Sequence, residues 1–451
     1  MEGWDRHRLR GAAARILAAG RNAADPSPLL RAHLGATGHR LRVAGSSLPV
    51  TGRLAVVAAG KAAVPMAREA ERLLGALRSE ALAIAPSPPS IPLERTRTLV
   101  AGHPLPDRRG LRAAREVERV ALGLGREDVL LLLLSGGASA LLPAPAEGIS
   151  LSDKVRLTSQ VLRAGATIHD LNTVRKHLSR LKGGGLARAA APARVVCLAL
   201  SDVVGDDPST IASGPTVPDP TTYAQALAVL ERLAVLHRAP SHVRQRLEAG
   251  ARGEAPETPK PGAALFRRVT TQVIGGNRAC LEAAAREARR LGLRPRILTS
   301  RLEGEAREVA QVLVAVLREC VDGGGLAAPP VCLLAGGETT VTVRGAGHGG
   351  RNQELVVAAA EPLSTFPAHA VAASLATDGI DGHSRAAGGV VDQESIPRAA
   401  RLGLAPAGSF LAESDSQGFL APLGDLIVTG ETGTNVMDLT VLLAGNAGRR
   451  V

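Results

Sequence analysis

The segment SDVVGDDPSTIASGPTVPDPTT (201–222) crowds Asp202, Asp206 and Asp207 together directly after the apolar run VVCLALS (195–201). Carboxylates that close repel one another unless a cation or a basic group sits among them. Pro208, Pro215, Pro218 and Pro220 stiffen the downstream chain, and Gly214 permits a tight turn. A rigid, acidic, strand-end loop suits a Mg²⁺-dependent phosphoryl-transfer site. A solvated surface loop is the plainer alternative, because acids and prolines gather in loops anyway.

Other polar groups recur in the same kind of place. Lys61 follows Gly60 where LAVVAAG (54–60) gives way to a helical pattern, so backbone N–H groups and a lysine meet at a helix start, a site for phosphate or carboxylate. GKAA lacks the glycine spacing and the Ser/Thr of a Walker A loop. Ser135-Gly136-Gly137 after DVLLLLL resembles an anion-cradling nest, and LLSGGASA is not the elbow of a serine nucleophile. Asn172, Arg175, Lys176, His177 and Lys182 crowd one helix before Gly183-Gly184-Gly185, as a carboxylate clamp or as an ordinary solvated basic helix. Further along, GHGGRNQE sets Arg351 just after a glycine turn, where its guanidinium could project into a cleft. Gly336-Gly337-Glu338, Asp378 and Asp381 in TDGIDG, and GETGTN with Thr434 and Asn435 are further glycine-bracketed polar loops. His103 in AGHPLPD and His177 have no metal-ligand spacing with another histidine.

These residues need elements to hold them. Short apolar strands alternate with polar or glycine-rich loops and amphipathic helices, and the strand runs are apolar throughout. That pattern indicates a mostly parallel sheet covered on both faces, whose ligand crevice lies at the carboxyl ends of its strands. The stretch GARGEAPETPKPGA breaks the pattern, so residues 250–263 are expected to link a first domain, 1–249, to a second, 264–451. TTQVIGG (270–276) is expected to open the second domain. The alternating TTVTVRG (339–345) is expected to be a strand that brings antiparallel pairing into a mixed second sheet.

Composition narrows the classes. A chain of 451 residues exceeds the usual size of one core, so two domains are expected. Hydrophobic residues make up 45% but aromatics only 1%, so the cores are aliphatic and base stacking is not the expected way to hold a nucleotide. The net charge of +12 comes mostly from scattered arginines, with lysine only at 61, 154, 176, 182 and 260. No basic block is interleaved with rings, so nucleic acid is not an expected partner; a basic chain can still steer small anions. The four cysteines show no paired or metal spacing, which favours a reducing compartment. The longest aliphatic run, VLLLLL (129–134), is far too short for a membrane span, and the Arg-rich start carries Glu2 and Asp5, unlike a transit peptide. The expectation is a cytoplasmic protein, monomeric or homodimeric.

Taken together, GKAA, AGHPLPD, SGGASALL, NTVRKHLSRLKGGG, the acidic loop, GGETTVTV, GHGGRNQEL, ATDGIDG and TGETGTNVMDL resemble the glycerate 2-kinase family, in one order from about residue 55 to 443. The resemblance implies an α/β protein: a Rossmann-like N-terminal domain with a mostly parallel sheet, and a smaller C-terminal MOFRL domain with a mixed sheet. It implies transfer of the ATP γ-phosphoryl group to the 2-hydroxyl of D-glycerate with Mg²⁺. On that reading Lys61, Arg351 and Asp202 are catalytic, the two cations neutralising charge on the transferring group. Asp206, Asp207 and Asp378 are candidate Mg²⁺ ligands. Gly60, Ser135, Gly136, Gly137, Asn172, Arg175, Lys182, Gly336, Gly337, Glu338, Thr434 and Asn435 are candidate substrate or nucleotide contacts. The chain departs from the family pattern at Glu431, Met437, His383 and Arg385. Two rivals are a hydroxypyruvate reductase, against which the missing dinucleotide fingerprint counts, and a nucleotide-binding regulator without catalysis.

Overall fold

The structure, a computed structural model, describes residues 4–323 and 325–446. Two compact units emerge, one spanning Pro26–Gly275 and the other combining the chain up to Asp25 with the chain from Gly276.

In Pro26–Gly275 a small antiparallel meander, β1 (Leu34–Thr37), β2 (Arg40–Val43) and β3 (Ser46–Pro49), precedes six strands. These are β4 (Leu54–Ala59), β5 (Glu80–Ala85), β6 (Arg97–Val100), β7 (Val129–Leu134), β8 (Arg194–Leu200) and β9 (Val269–Gly275). They lie in the order β6-β5-β4-β7-β8-β9, each parallel to its neighbours. The strand pleat sends alternate side chains to opposite faces. Val57, Leu130 and Leu132 join one core with the helix Arg108–Leu122, while Val56, Leu131 and Leu133 join another with the helix Ala63–Leu74. Two buried faces account for runs that are apolar at every position. From β4 the chain moves outward through β5 and β6, then returns to β7 on the other side of β4. The strand order therefore reverses between β4 and β7, and such a switch point opens a crevice at their carboxyl ends.

The helices Leu151–Arg163, Ile168–His177, Tyr223–Arg232 and Ser241–Ala251 share a separate apolar cluster in the same unit. Three of them begin at reciprocal capping boxes, Ser150 with Asp153, Thr167 with Asp170 and Thr222 with Gln225, which set their starts.

The second sheet contains β10 (Arg294–Leu302), β11 (Val331–Gly337), β12 (Ala370–Ala376), β13 (Gly388–Asp392), β14 (Leu426–Ile427) and β15 (Asp438–Ala444). The order is β10-β11-β15-β12-β13-β14, with only the β10–β11 pair parallel. The sheet is mixed, but not through TTVTVRG. That segment forms a single bridge, Thr340 to Glu305, rather than a strand. Its backbone is claimed by side chains: Glu305 accepts from Thr342 N at 2.8 Å, and Ser414 Oγ accepts from Arg344 N at 3.1 Å.

The unit boundaries also differ from the expected 1–249, 250–263 and 264–451. TTQVIGG does not open the second unit; as β9 it runs beside β8, from Val195–Val269 to Ala199–Val273. The Pro/Gly-rich stretch before it is tied to the first unit, because Pro259 O accepts from Asp219 N at 2.9 Å and Asp219 accepts from Thr258 Oγ1 at 3.0 Å. At the other end, the helix Arg6–Asn22 leaves the first unit. Leu9, Ala12, Ala13, Ile16 and Leu17 pack with Leu281, Val371 and Val441 of the second. Arg10 bridges Asp392 and Asp425, both at 2.5 Å.

Candidate active site

The loop after β4 must turn sharply into the helix Ala63–Leu74. Gly60 supplies φ 129°, and a side chain there would collide with Ser135. The loop after β7 turns at Gly137, with φ 84°. The two loops are tied together: Lys61 N donates to Gly136 O at 2.8 Å, and Ala62 N donates to Ser135 Oγ at 2.9 Å. Ser135 is fully buried. Its hydroxyl organises the crevice and is not presented to a substrate.

Three side chains converge on the glycines. The Asp202 carboxylate, from the end of β8, lies against the Cα of Gly136. A Cβ on Gly137 would stand 2.9 Å from the His103 ring and 3.6 Å from Cγ of Lys61. Lys61, His103 and Asp202 thus face one backbone loop at the switch point. The helix behind Lys61 has no side-chain cap and no acid in its first turn, so its positive end is uncompensated by its own sequence. An anion is the complementary occupant. Sequence reasoning left His103 undecided; its signal was AGHPLPD, a polar loop at the carboxyl end of β6.

The three aspartates of the acidic loop do not gather in one cage. Asp207 accepts from Ser209 N at 2.9 Å, Ser209 Oγ at 2.6 Å and Thr210 Oγ1 at 3.1 Å. Burial pushes its carboxyl up, but those hydrogen bonds outweigh it and hold the pKa below the ordinary value. Asp206 adopts a left-handed conformation, φ 57°, and its Oδ1 is buried without a hydrogen-bond partner. Among the described residues no three His, Cys, Asp or Glu side chains come together as metal ligands. Mg²⁺, however, is commonly held by only one or two carboxylates plus substrate phosphates, and an orphaned carboxylate oxygen fits that use.

Asn172 and Lys182 are buried on the same side of the unit as the glycine loop. Lys182 Nζ donates to Ser139 Oγ at 2.7 Å, Ser139 and Ser213 hydroxyls lie 2.8 Å apart, and Ser213 Oγ donates to Asn172 Oδ1 at 2.9 Å. Lys176 is instead paired with buried Asp219 at 3.4 Å, and His177 lies 3.1 Å from Glu257.

In the second unit Arg351 opens the helix Arg351–Ser364, as expected from the glycine turn before it. It does not project unpaired. Its Nε and Nη2 donate to Asp438 at 2.5 and 2.9 Å, and Nη1 lies 2.7 Å from Glu338. Burial by itself lowers the guanidinium's pKa, but Asp438 and Glu338 overcome that and hold it charged. Burial pushes the Asp438 carboxyl up to about 6 despite the arginine. Met437, φ 70°, aims this aspartate, with its carbonyl accepting from Thr377 Oγ1 at 2.6 Å. Asp381 accepts from Asn352 N at 3.1 Å and Gln353 N at 2.9 Å, capping the helix from another loop. Asp438 and Asp381 hold the Arg351 turn in place; Asp381 is one of the glycine-bracketed acids of the sequence, whereas spacing alone does not single out Asp438. Asp378 binds its own turn through Ile380 N at 3.1 Å.

Gly336 and Gly337 lie inside β11, where added Cβ atoms would strike Asn277 and the Leu302 backbone. Packing therefore accounts for them. Thr434 Oγ1 donates to Ala24 O at 2.8 Å, and Asn435 Oδ1 accepts from Met437 N at 3.1 Å.

Residues 12–248 match the family described as Domain of unknown function (DUF4147), and residues 331–438 match the MOFRL family. A glycerate 2-kinase from Pyrococcus horikoshii is 38% identical over 96% of this chain and 97% of its own. A relative from Agrobacterium vitis, 41% identical over 87% of this chain and 88% of its own, bears a provisional hydroxypyruvate reductase label. The crystal structure of a glycerate kinase from Thermotoga maritima superposes with a TM-score of 0.83 at 35% identity, covering 97% of this chain and all of that one. Similarity of this depth across both units means that the chain belongs to the glycerate 2-kinase family.

Proposed function

We propose that this protein transfers the γ-phosphoryl group of ATP to the 2-hydroxyl of D-glycerate, giving 2-phosphoglycerate and ADP. The observation that carries the reading is the convergence of Lys61, His103 and Asp202 on the Gly136-Gly137 loop at the switch point. Phosphoryl transfer needs alignment and neutralisation of spreading negative charge more than covalent help from the protein. Lys61 supplies positive charge beside backbone that can approach a phosphate closely. Asp202 orients the attacking hydroxyl, and His103 packs the lysine stem against the loop.

Arg351 is assigned a second neutralising role. Nη1 is the edge offered to an anion, since the Glu338 side chain it now meets is 46% exposed and can turn to solvent. Asp202 and Asp206 would hold Mg²⁺, with Asp207 shaping the loop around them and Asp378 a further candidate. Bound there, the ion would offset phosphate charge. Gly60, Gly136 and Gly137 serve the phosphate side, with buried Ser135 tying their two loops together; Asn172, Arg175 and Lys182 serve the acid substrate. Glu338, Thr434 and Asn435 support the Arg351 region.

A coupled assay tests the reading. ADP release that depends on D-glycerate is expected, with a ³¹P signal of 2-phosphoglycerate. A dominant 3-phosphoglycerate signal overturns the regiochemistry, and NADH oxidation by hydroxypyruvate without ADP release overturns the kinase.

A further inference from the structure

One part of the first unit carries buried positive charge and almost nothing to balance it. The helix Leu151–Arg163 turns Lys154 inward, where its Nζ is buried with no hydrogen-bond partner. The helix Ile168–His177 brings Arg175 to the same spot, and the two side chains line a cavity of about 10 Å³ with Thr158 and the apolar Leu157, Val161, Leu171 and Val174. Lys182, 5% exposed, lies close enough that both Lys154 and Arg175 disfavour its charge. Beside it, the Asn172 Oδ1 accepts from Ser213, which leaves its buried Nδ2 without an acceptor.

Among the described residues no carboxylate pairs with Lys154, Arg175 or Lys182. The nearest competing groups are already engaged. Arg180 is held by Glu118 at 2.7 and 2.8 Å, and Lys176 by Asp219. Burying the Lys154 ammonium without a partner is strongly unfavourable, and the neighbouring Arg175 adds to the cost, while Lys182 has only the neutral oxygens of Ser139. The two buried atoms left without a partner here, Lys154 Nζ and Asn172 Nδ2, are both donors. Such a set is complementary to an anion. The cavity has room for about one water-sized atom, so a tetrahedral oxyanion does not fit.

We propose that Lys154, Arg175 and Lys182, with the Asn172 amide beside them, form a buried site for one small monoanion, either the carboxylate of the acceptor acid or a resident halide. The carboxylate arm rests on the kinase reading above; the halide arm does not. Lys154 is the new member, and its ammonium closes the site from the helical layer. Lysine here also keeps the site empty-intolerant: burial and the charges of Arg175 and Arg180 lower its pKa to about 7, so an anion would restore the protonated form.

The test compares wild type with Lys154→Met at constant ionic strength, titrating sodium chloride, sodium acetate and sodium D-glycerate while following thermal unfolding. Saturable stabilisation of the wild type is expected, with the apparent Kd raised at least about tenfold in the variant. Chloride that raises the KM for D-glycerate, with kcat unchanged, identifies the substrate carboxylate as occupant. Chloride that stabilises without moving KM identifies a resident halide. Bromide-soaked wild-type crystals give an independent readout, an anomalous peak in contact with Lys154 Nζ. Equal responses of the two proteins to all three anions, or no bromide peak at Lys154, overturn the site. Anion binding through Lys154 without D-glycerate-dependent ADP release would keep the site and sink the kinase; turnover of D-glycerate with unchanged KM in Lys154→Met would do the reverse for the carboxylate arm.

Discussion

Lys61 and Lys154 show how one residue type acquires opposite properties from its surroundings. Lys61 stands half-buried on a loop-to-helix turn, where its chain packs beside His103 and Gly137. In the role proposed for Lys61, its charge stabilises the transferring phosphoryl group, so Lys61→Ala is expected to lower kcat by on the order of 10² or more. Its melting temperature should stay near that of wild type, because no core residue is lost; scanning fluorimetry beside the ADP assay checks both. Lys154 is instead fully desolvated, and its folded pKa of about 7 lies below the ordinary lysine value of 10.5. A depressed pKa means that the folded state binds fewer protons than the unfolded one. Stability is then complete above the unfolded value and declines as pH falls towards the folded value. In anion-free buffer Lys154→Met is expected to be more stable than wild type by about 1–4 kcal/mol near neutral pH. The gap should shrink as pH rises toward the unfolded value. Urea denaturation of both proteins across that range measures it.

At the scale of elements, the helix Arg6–Asn22 is the clearest case of a segment whose partners lie far away in sequence. Its N-cap, Asp5 accepting from Arg8 N at 2.8 Å, and its apolar stripe are local and readable. Where the stripe docks is not. Ile16 is fully buried among residues of β12, β15 and the helix Asn277–Arg290. Ile16→Ala should therefore destabilise the second unit by about 2–5 kcal/mol, the cost of a core cavity. Hydrogen exchange that rises across β12 and β15 and leaves β4 and β7 protected checks that direction. The strands β4, β7 and β8 and the loops after them were legible because aliphatic runs, glycines and lone polar residues follow one another directly. The strand expected at TTVTVRG failed because alternation records side-chain faces, whereas the backbone there is satisfied by Glu305 and Ser414.

For the molecule as a whole, the boundary that matters is between Gly275 and Gly276, not within the Pro/Gly-rich stretch. A fragment ending at 249 would lack β9 and leave the edge of β8 unpaired, while carrying a helix whose apolar face has lost its partners. Exposed edges and apolar faces promote aggregation. The fragment Pro26–Gly275 is expected to be monomeric with a cooperative urea transition, and residues 1–249 to aggregate. Size-exclusion chromatography of the two side by side decides it; equal behaviour would place the boundary where the Pro/Gly-rich composition suggested. Among the described residues no helix is long and apolar enough to cross a membrane.

What the sequence determined by itself is local: strands apolar on both faces, glycine turns after them at Gly60 and Gly137, amphipathic helices, and motif strings long enough to identify the family. These depend on neighbours along the chain, through sterics and period. Tertiary structure alone decided which partners distant residues meet. Asp438 reaches Arg351 because β15 lies beside β11. Asp381 caps a helix that begins well before it in the chain only because two loops cross. Lys154 becomes a buried cation only when its helix packs against Arg175. Charge and burial are properties of the assembled interior, and no spacing in one dimension encodes them.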